Sequence, residues 1–276
     1  MTPVPLAQRL HPLTQHPEGA AVFCDIDGTL APIVERPDDA RVRPDVARLL
    51  AELAGRYACV ACVTGRRAEE ARRIVGEGSL SYAGLHGGEI LAPGELHARV
   101  LPAVEDWEGH VRGFSSHHDT DVLHGRGVRI EDKGPIAAFH WRGARDEDAA
   151  LAHLEHVARD AQAKGFVAHW GRKVLEVRPP VPINKGLAVR HLLADAGARF
   201  ALYGGDDATD LDAFDALDAL VAAGTLDGAV RVGVRSKEGP RDIVARADLV
   251  VDGVDGFGRV LYWLLHHADG DASDAG

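Results

Sequence analysis

Three features of this 276-residue sequence predict an α/β fold, a Rossmann-like parallel sheet interrupted by an inserted α+β domain. Short apolar runs alternate with amphipathic helical stretches towards both ends of the chain, the rhythm of strands joined by packed helices. A central segment breaks that rhythm with alternating, half-polar strands. Acidic pairs stand directly at the ends of two of the apolar runs.

The elements follow in order. AAVFCDID (20–27) reads as a buried strand, DVARLLAELAGR (45–56) as an amphipathic helix, YACVACVTG (57–65) as a second strand and RRAEEARRIVG (66–76) as a second helix. The pattern returns with a helix GLAVRHLLADAG (186–197), a strand FALYGGDD (200–207), a helix LDAFDALDAL (211–220) and short strands GAVRVGV (228–234) and ADLVVD (247–252). Between them, residues 104–182 read as αββαββ, with strands GVRIEDKG, PIAAFHWR, FVAHWG and KVLEVRPP around the helix DEDAALAHLEHVARDAQAKG. Such an order suits an antiparallel sheet with helices on one face. Pro179, Pro180 and Pro182 end its last strand. The expected domains are therefore 1–103 with 183–276 as the core and 104–182 as the insertion, followed by a polar, acidic tail, DGDASDAG, expected to be disordered.

Composition narrows the class. With 31 basic and 42 acidic residues the formal charge is −11, so general attraction to nucleic acid or an anionic membrane is not expected, and any anion must be captured locally. The N-terminal stretch lacks the apolar run of about 7–15 residues of a secretory signal. No stretch approaches the roughly 20 apolar residues of a membrane span. A cytoplasmic monomer without nucleic-acid or membrane partners is the expectation. Cys59 and Cys62 lie three apart on a strand and point to opposite faces. With no second pair to complete four zinc ligands, they and Cys24 read as buried reduced thiols.

The chemistry sits at strand ends, where open α/β sheets bind ligands. Asp25 and Asp27 are two apart and face one crevice, with Gly28 and Thr29 in the turn beyond. A second strand end supplies Asp206, Asp207 and Asp210. Like charges about 4 Å apart repel by several kcal/mol even at an effective dielectric near 20, so the cluster calls for a hard cation, and magnesium suits carboxylates completed by a phosphate oxygen. VTGRR places Thr64 and Gly65 at a strand end, suited to cradling phosphate. Arg66 and Arg67 then open a helix where the dipole disfavours cations, so an anion is expected there. Lys185 stands at the start of another helix for the same reason. In this arrangement Asp25 attacks phosphorus to form an aspartyl-phosphate, and Asp27 protonates the leaving alkoxide and later takes a proton from water. Magnesium, Lys185 and Thr64 offset the charge on the transferring group.

These residues resemble the four motifs of the haloacid-dehalogenase (HAD) superfamily: DIDGT, the Thr64 strand end, Lys185 and GDDATD. The resemblance implies a HAD-type core, with the metal held by Asp25, the carbonyl of Asp27 and Asp206, and with Asp207 and Asp210 as supporting carboxylates. A narrower resemblance, through VTGRRAEEARRIVG, YAGLHGGEI, EDKGPIAAFHWR, KVLEVRPPVPINKG and GDDATDLDAF, is to the trehalose-6-phosphate phosphatase family. It implies that the inserted segment is a substrate-specificity (cap) domain and that Glu131, Lys133 and Glu176 hold the sugar of a small-molecule sugar phosphate. Alternation sets Glu131 and Lys133 on one side of their strand. Two positions depart from the family pattern: Leu85 where Asn or Ser is common, and Leu211 where Glu is common. Another sugar or cyclitol phosphate such as sucrose phosphate, a phosphosugar mutase and a silent sugar-phosphate sensor therefore stay open as alternatives.

Overall fold

The apolar run before Asp25 forms strand β1 (Ala20–Cys24), and all of its residues are buried. Its alternate residues enter two different cores: Ala20, Val22 and Cys24 pack on one side of the sheet, Ala21 and Phe23 on the other. A strand apolar on both faces requires helices over both. The structure, a computed structural model, describes residues 6–34, 36, 39–236 and 239–268; the acidic tail from 269 onward lies outside them.

The chain divides into two units, Met1–Arg99 with Ile183–Gly276, and Val100–Pro182. The change of unit comes slightly before the composition break at 104 because the first inserted helix already starts at Pro102. The first unit contains β1, β2 (Cys59–Val63), β3 (Ser81–Gly84), β4 (Glu89–Leu91) and the start of β5 (Arg99–Val100). After the second unit come β10 (Phe200–Gly205), β11 (Gly228–Arg235) and β12 (Leu249–Asp252). The sheet order is β12-β11-β10-β1-β2-β3-β4-β5, parallel from β12 to β3 and antiparallel between β3 and β4.

Helices α1 (Leu6–Gln15), α2 (Pro44–Ala54), α3 (Ala68–Val75) and α11 (Gly253–His267) contribute to the core that holds Val22. The opposite core is closed by α8 (Lys185–Ala196), α9 (Asp210–Ala222) and α10 (Arg241–Arg246). Chain order reverses between β1 and β10. Strands on one side of that seam follow from the first half of the sequence and strands on the other from the last part, so the loops at their carboxyl ends diverge and leave a crevice.

The second unit has short helices α4 (Pro102–Glu105), α5 (Glu108–His118) and α6 (Asp121–Gly125), then α7 (Glu147–Ala163), and a separate antiparallel sheet. Its strands β6 (Arg129–Asp132), β7 (Ala137–His140), β8 (Val167–Gly171) and β9 (Val174–Arg178) run in the order β6-β7-β9-β8. Ala137, Phe139, Leu175 and Val177 pack against Val111 and Phe114 of α5 and Leu154 and Val157 of α7. The strands therefore alternate between this apolar face and a polar one. Among the described residues no helix is long and apolar enough to cross a membrane.

Candidate active site

The crevice between β1 and β10 gathers the predicted carboxylates. Asp25 follows β1 directly and its N–H continues the ladder to the Gly204 carbonyl at 2.9 Å. Asp206 follows β10, and Asp210 opens α9 one turn later. All three are buried, and one carboxylate oxygen of each lies within 4.8 Å of the others. Lys185, the first residue of α8, sends its ammonium between two of them, 2.9 Å from Asp25 Oδ1 and 2.7 Å from Asp210 Oδ1. The helix start that carries it is capped by Asn184, whose side chain accepts the Leu187 N–H at 2.8 Å.

Burial, reinforced by Asp210, Asp206 and Asp27, holds the Asp25 carboxyl well above the ordinary carboxylate range in spite of Lys185. Burial alone would depress the Lys185 ammonium, but Asp210 and Asp25 outweigh it and raise it above the ordinary lysine range. Three buried acidic side chains thus share one ammonium.

Asp210 is fully committed. Its Oδ1 accepts from Lys185 and from the Tyr203 hydroxyl at 2.7 Å, and its Oδ2 accepts the N–H groups of Asp206 and Asp207 at 2.9 and 2.8 Å. A carboxylate with four donors on it organises the 206–210 turn and has little left to offer an ion. Asp207, half-buried, joins that turn through its backbone, and its carboxylate accepts the Ala208 N–H. Asp25 and Asp206 are thus the side chains that could hold a cation, and an all-oxygen donor set suits a hard one. The turn after β1 is shaped to admit Asp206: Gly28 has φ +92°, and a Cβ there would stand 2.3 Å from Asp206 Oδ2. Ser236, beyond β11, adds a 3.4 Å contact to the same oxygen.

Asp27 is partly exposed and is gripped by Arg66, whose Nε and Nη2 reach its two oxygens at 2.6 and 2.8 Å. Arg66 Nη1 also bonds Glu70, one turn along α3. The anions expected at this helix start are therefore protein carboxylates, and Arg67 likewise approaches the buried Glu89 at 3.7 Å. Glu89 Oε1 accepts the Ala68 N–H at 2.6 Å, anchoring the first turn of α3. Thr64 is buried at the end of β2, with its hydroxyl accepting the Arg66 N–H at 3.2 Å. Gly65 lies under the His86 ring, since a Cβ there would meet Nε2 at 2.6 Å.

His86 and Leu85 both adopt left-handed backbone (φ 57° and 51°), a conformation costly for residues other than glycine or asparagine. Leu85 is fully buried, and Leu211 packs on the core beneath α8 and α9. Both departures from the family pattern are thus packing residues.

The second unit carries Glu131, Lys133 and Glu176. Register aligns Glu131 with Ala138, Glu176 and His169 across its four strands, all on the polar face. Lys133 Nζ bonds Glu176 Oε1 at 3.1 Å, and Arg178 bonds Glu176 Oε2 through Nε and Nη2 at 2.9 and 2.5 Å. Glu131 pairs with His140 at 2.7 Å. Burial opposes ionisation of Glu131, but His140 and Lys133 hold its carboxyl below the ordinary range. Arg178 and His140 were not singled out from the sequence. Their signal is the period of two, which sets Arg178 on the face of Glu176. Arg66 as the partner of Asp27, and Tyr203 as the partner of Asp210, join segments that no local pattern connects.

The chain is similar to several known proteins. A trehalose-phosphate phosphatase of Mycolicibacterium paratuberculosis is 36% identical over 216 residues, 74% of this chain and 52% of that protein. The chain spans about half the length of such curated relatives, and 15% of a longer one from Mycobacterium tuberculosis described as an uncharacterized glycosyl hydrolase. The crystal structure of a trehalose-6-phosphate phosphatase related protein superposes with a TM-score of 0.70 at 25% identity, covering 89% of this chain and 97% of that one. A haloacid dehalogenase-like hydrolase from Bacteroides thetaiotaomicron shares the fold at a TM-score of 0.60 and 13% identity, over 89% of this chain and 99% of its own. Residues 23–247 match the family model described as trehalose-phosphatase, and the chain belongs to that family, on the fold of the HAD superfamily.

Proposed function

We propose that this chain hydrolyses trehalose 6-phosphate to trehalose and phosphate, with Asp25 as nucleophile and magnesium as cofactor. The observation that carries the reading is the convergence of Asp25, Asp206 and Lys185 on one buried point from three distant segments.

An Asp25 oxygen attacks phosphorus, the bond from phosphorus to the sugar oxygen breaks, and Asp27 gives the departing oxygen its proton. Water then attacks the phosphorus of the aspartyl-phosphate, Asp27 takes its proton, and phosphate leaves with the Asp25 carboxylate restored. Lys185, beside the attacking oxygen, stabilises charge that grows on the phosphoryl group, and the Thr64 and Gly65 end of β2 orients that group. Asp25, Asp206 and the Asp27 carbonyl would hold magnesium, which would supply positive charge to the transferring phosphoryl group. Asp210 and Asp207 keep Asp206 and Lys185 in place.

Glu131, Lys133 and Glu176 are the residues assigned to the sugar. Carboxylates and an ammonium held in place by partners on one polar sheet face suit a polyhydroxyl ligand, because charged groups make strong, oriented hydrogen bonds to hydroxyls. Glu176→Ala is expected to lower kcat/KM for trehalose 6-phosphate by about 10–100-fold, the scale of a charged hydrogen bond. Hydrolysis of p-nitrophenyl phosphate, which has no sugar, should change little. Equal losses on both substrates would remove Glu176 from sugar recognition.

The assignment is tested by phosphate release from a panel of sugar phosphates, ranked by kcat/KM with magnesium and with EDTA. Trehalose 6-phosphate should rank first and EDTA should abolish release. Preference for another sugar phosphate would overturn the substrate, and metal-independent release would overturn the cofactor.

A further inference from the structure

Arg66 has three engagements that the reaction as described does not use. Its guanidinium spans both oxygens of Asp27 (2.6 and 2.8 Å), its remaining Nη bonds Glu70, and its N–H donates to the Thr64 hydroxyl at 3.2 Å. The side chain is about 12% exposed. It is anchored from behind, because α3, on which Glu70 stands one turn later, has its first turn held by the buried Glu89. Two parallel N–H···O bonds fix both the position and the plane of a carboxylate. A carboxylate has about four acceptor sites. The fork therefore leaves Asp27 lone pairs for a proton in transit.

We infer that Arg66 is a positioning residue that sets the carboxylate plane of Asp27 for proton transfer to the leaving sugar oxygen and, through Thr64, locks that plane to the strand end assigned to phosphate. The inference rests on the reading of Asp27 as acid/base. It differs from a role for Arg66 on the phosphoryl group itself, because the cationic fork is already committed to two carboxylates.

Leaving-group dependence separates these roles. An alkoxide leaves phosphorus only if protonated, whereas p-nitrophenolate departs without a proton. Single-turnover formation of the phosphoenzyme is measured with trehalose 6-phosphate and, as a burst of p-nitrophenolate, with p-nitrophenyl phosphate, in magnesium, for the parent, Arg66→Ala, Arg66→Lys and Asp27→Asn. Arg66→Ala should slow the sugar phosphate by about 10–100-fold, part of the 10²–10⁴-fold typical of acid/base catalysis, and leave the burst rate nearly unchanged. Arg66→Lys, which keeps the charge but cannot span both oxygens, should show the same split and carries the test if the alanine variant does not fold. Asp27→Asn should show the split at larger size. Equal slowing of both substrates by the Arg66 variants, or no slowing of either, overturns the positioning role while Asp27→Asn still splits them. If Asp27→Asn itself shows no split, the acid/base reading fails and the inference with it.

Discussion

Asp25→Asn should abolish hydrolysis of sugar phosphates, by about 10⁴-fold or more, and at the same time raise the melting temperature of the metal-free protein. The first effect follows from removing the proposed nucleophile, with losses on the scale seen when a member of a catalytic unit is deleted. The second follows from the environment of Asp25. Burial and three neighbouring carboxylates hold its folded-state pKa above the ordinary value, and Lys185 does not compensate fully. A group raised on folding contributes stability below its unfolded pKa and loses that contribution as pH rises through the folded one. Above the ordinary carboxylate range, charging Asp25 therefore opposes folding, and the amide removes that cost while Lys185 keeps Asp210. Thermal melts in EDTA should show the variant ahead by a few degrees, roughly 2–4 °C per kcal/mol in a domain of this size, with the gap widening from pH 5 to pH 8. A variant that melts below the parent throughout that range would show that Asp25 is well accommodated without a cation, against the charge argument.

Lys185→Ala should have the opposite effect on stability. Its ammonium pairs with both Asp25 and Asp210, and its side chain is only 2% exposed. Removing one member of a buried ion pair leaves the partners uncompensated, at a typical cost of about 3–5 kcal/mol. The melting temperature should fall by roughly 10 °C, with catalysis reduced as well because the transferring phosphoryl group loses a cation. Lys185 and Asp25 are in contact, so their effects should not add. Asp25→Asn in the Lys185→Ala background should recover part of the lost stability, measured by denaturant unfolding of all four proteins. Strict additivity would contradict the coupling drawn between the two side chains.

Much of this site was legible because its parts end strands. AAVFCDID and FALYGGDD each read as a buried run stopped by acids, and parallel sheets bring such ends to one rim. Lys185 could be read because a lysine opening a helix is electrostatically out of place. The same argument at Arg66 detected the need for an anion but not its source, since Asp27 is 39 residues away in sequence and nothing local links the two. The local pattern alone did not separate Asp206 from Asp210, a division that came only from the resemblance; the four donors on Asp210 give it a physical basis. Helix α1 was obscured by Pro12 in its interior and α11 by glycines in its first turns, both of which weaken local helical preference. Strands β3 to β5 are too short to show a period. In the insertion, alternation carried the strand pattern and the resemblance pointed to Glu176, whereas its buried link to Lys133 depends on pairing across β7.

The most direct test of the central claim is to stop the magnesium-loaded protein with acid during turnover of trehalose 6-phosphate, reduce any acyl phosphate with borohydride, and locate the modified residue by mass spectrometry. Conversion of Asp25 to homoserine is the expected result, absent without magnesium and absent in Asp25→Asn. Full phosphate release with Asp25 unmodified, or with the reduced residue elsewhere in the chain, would contradict the account.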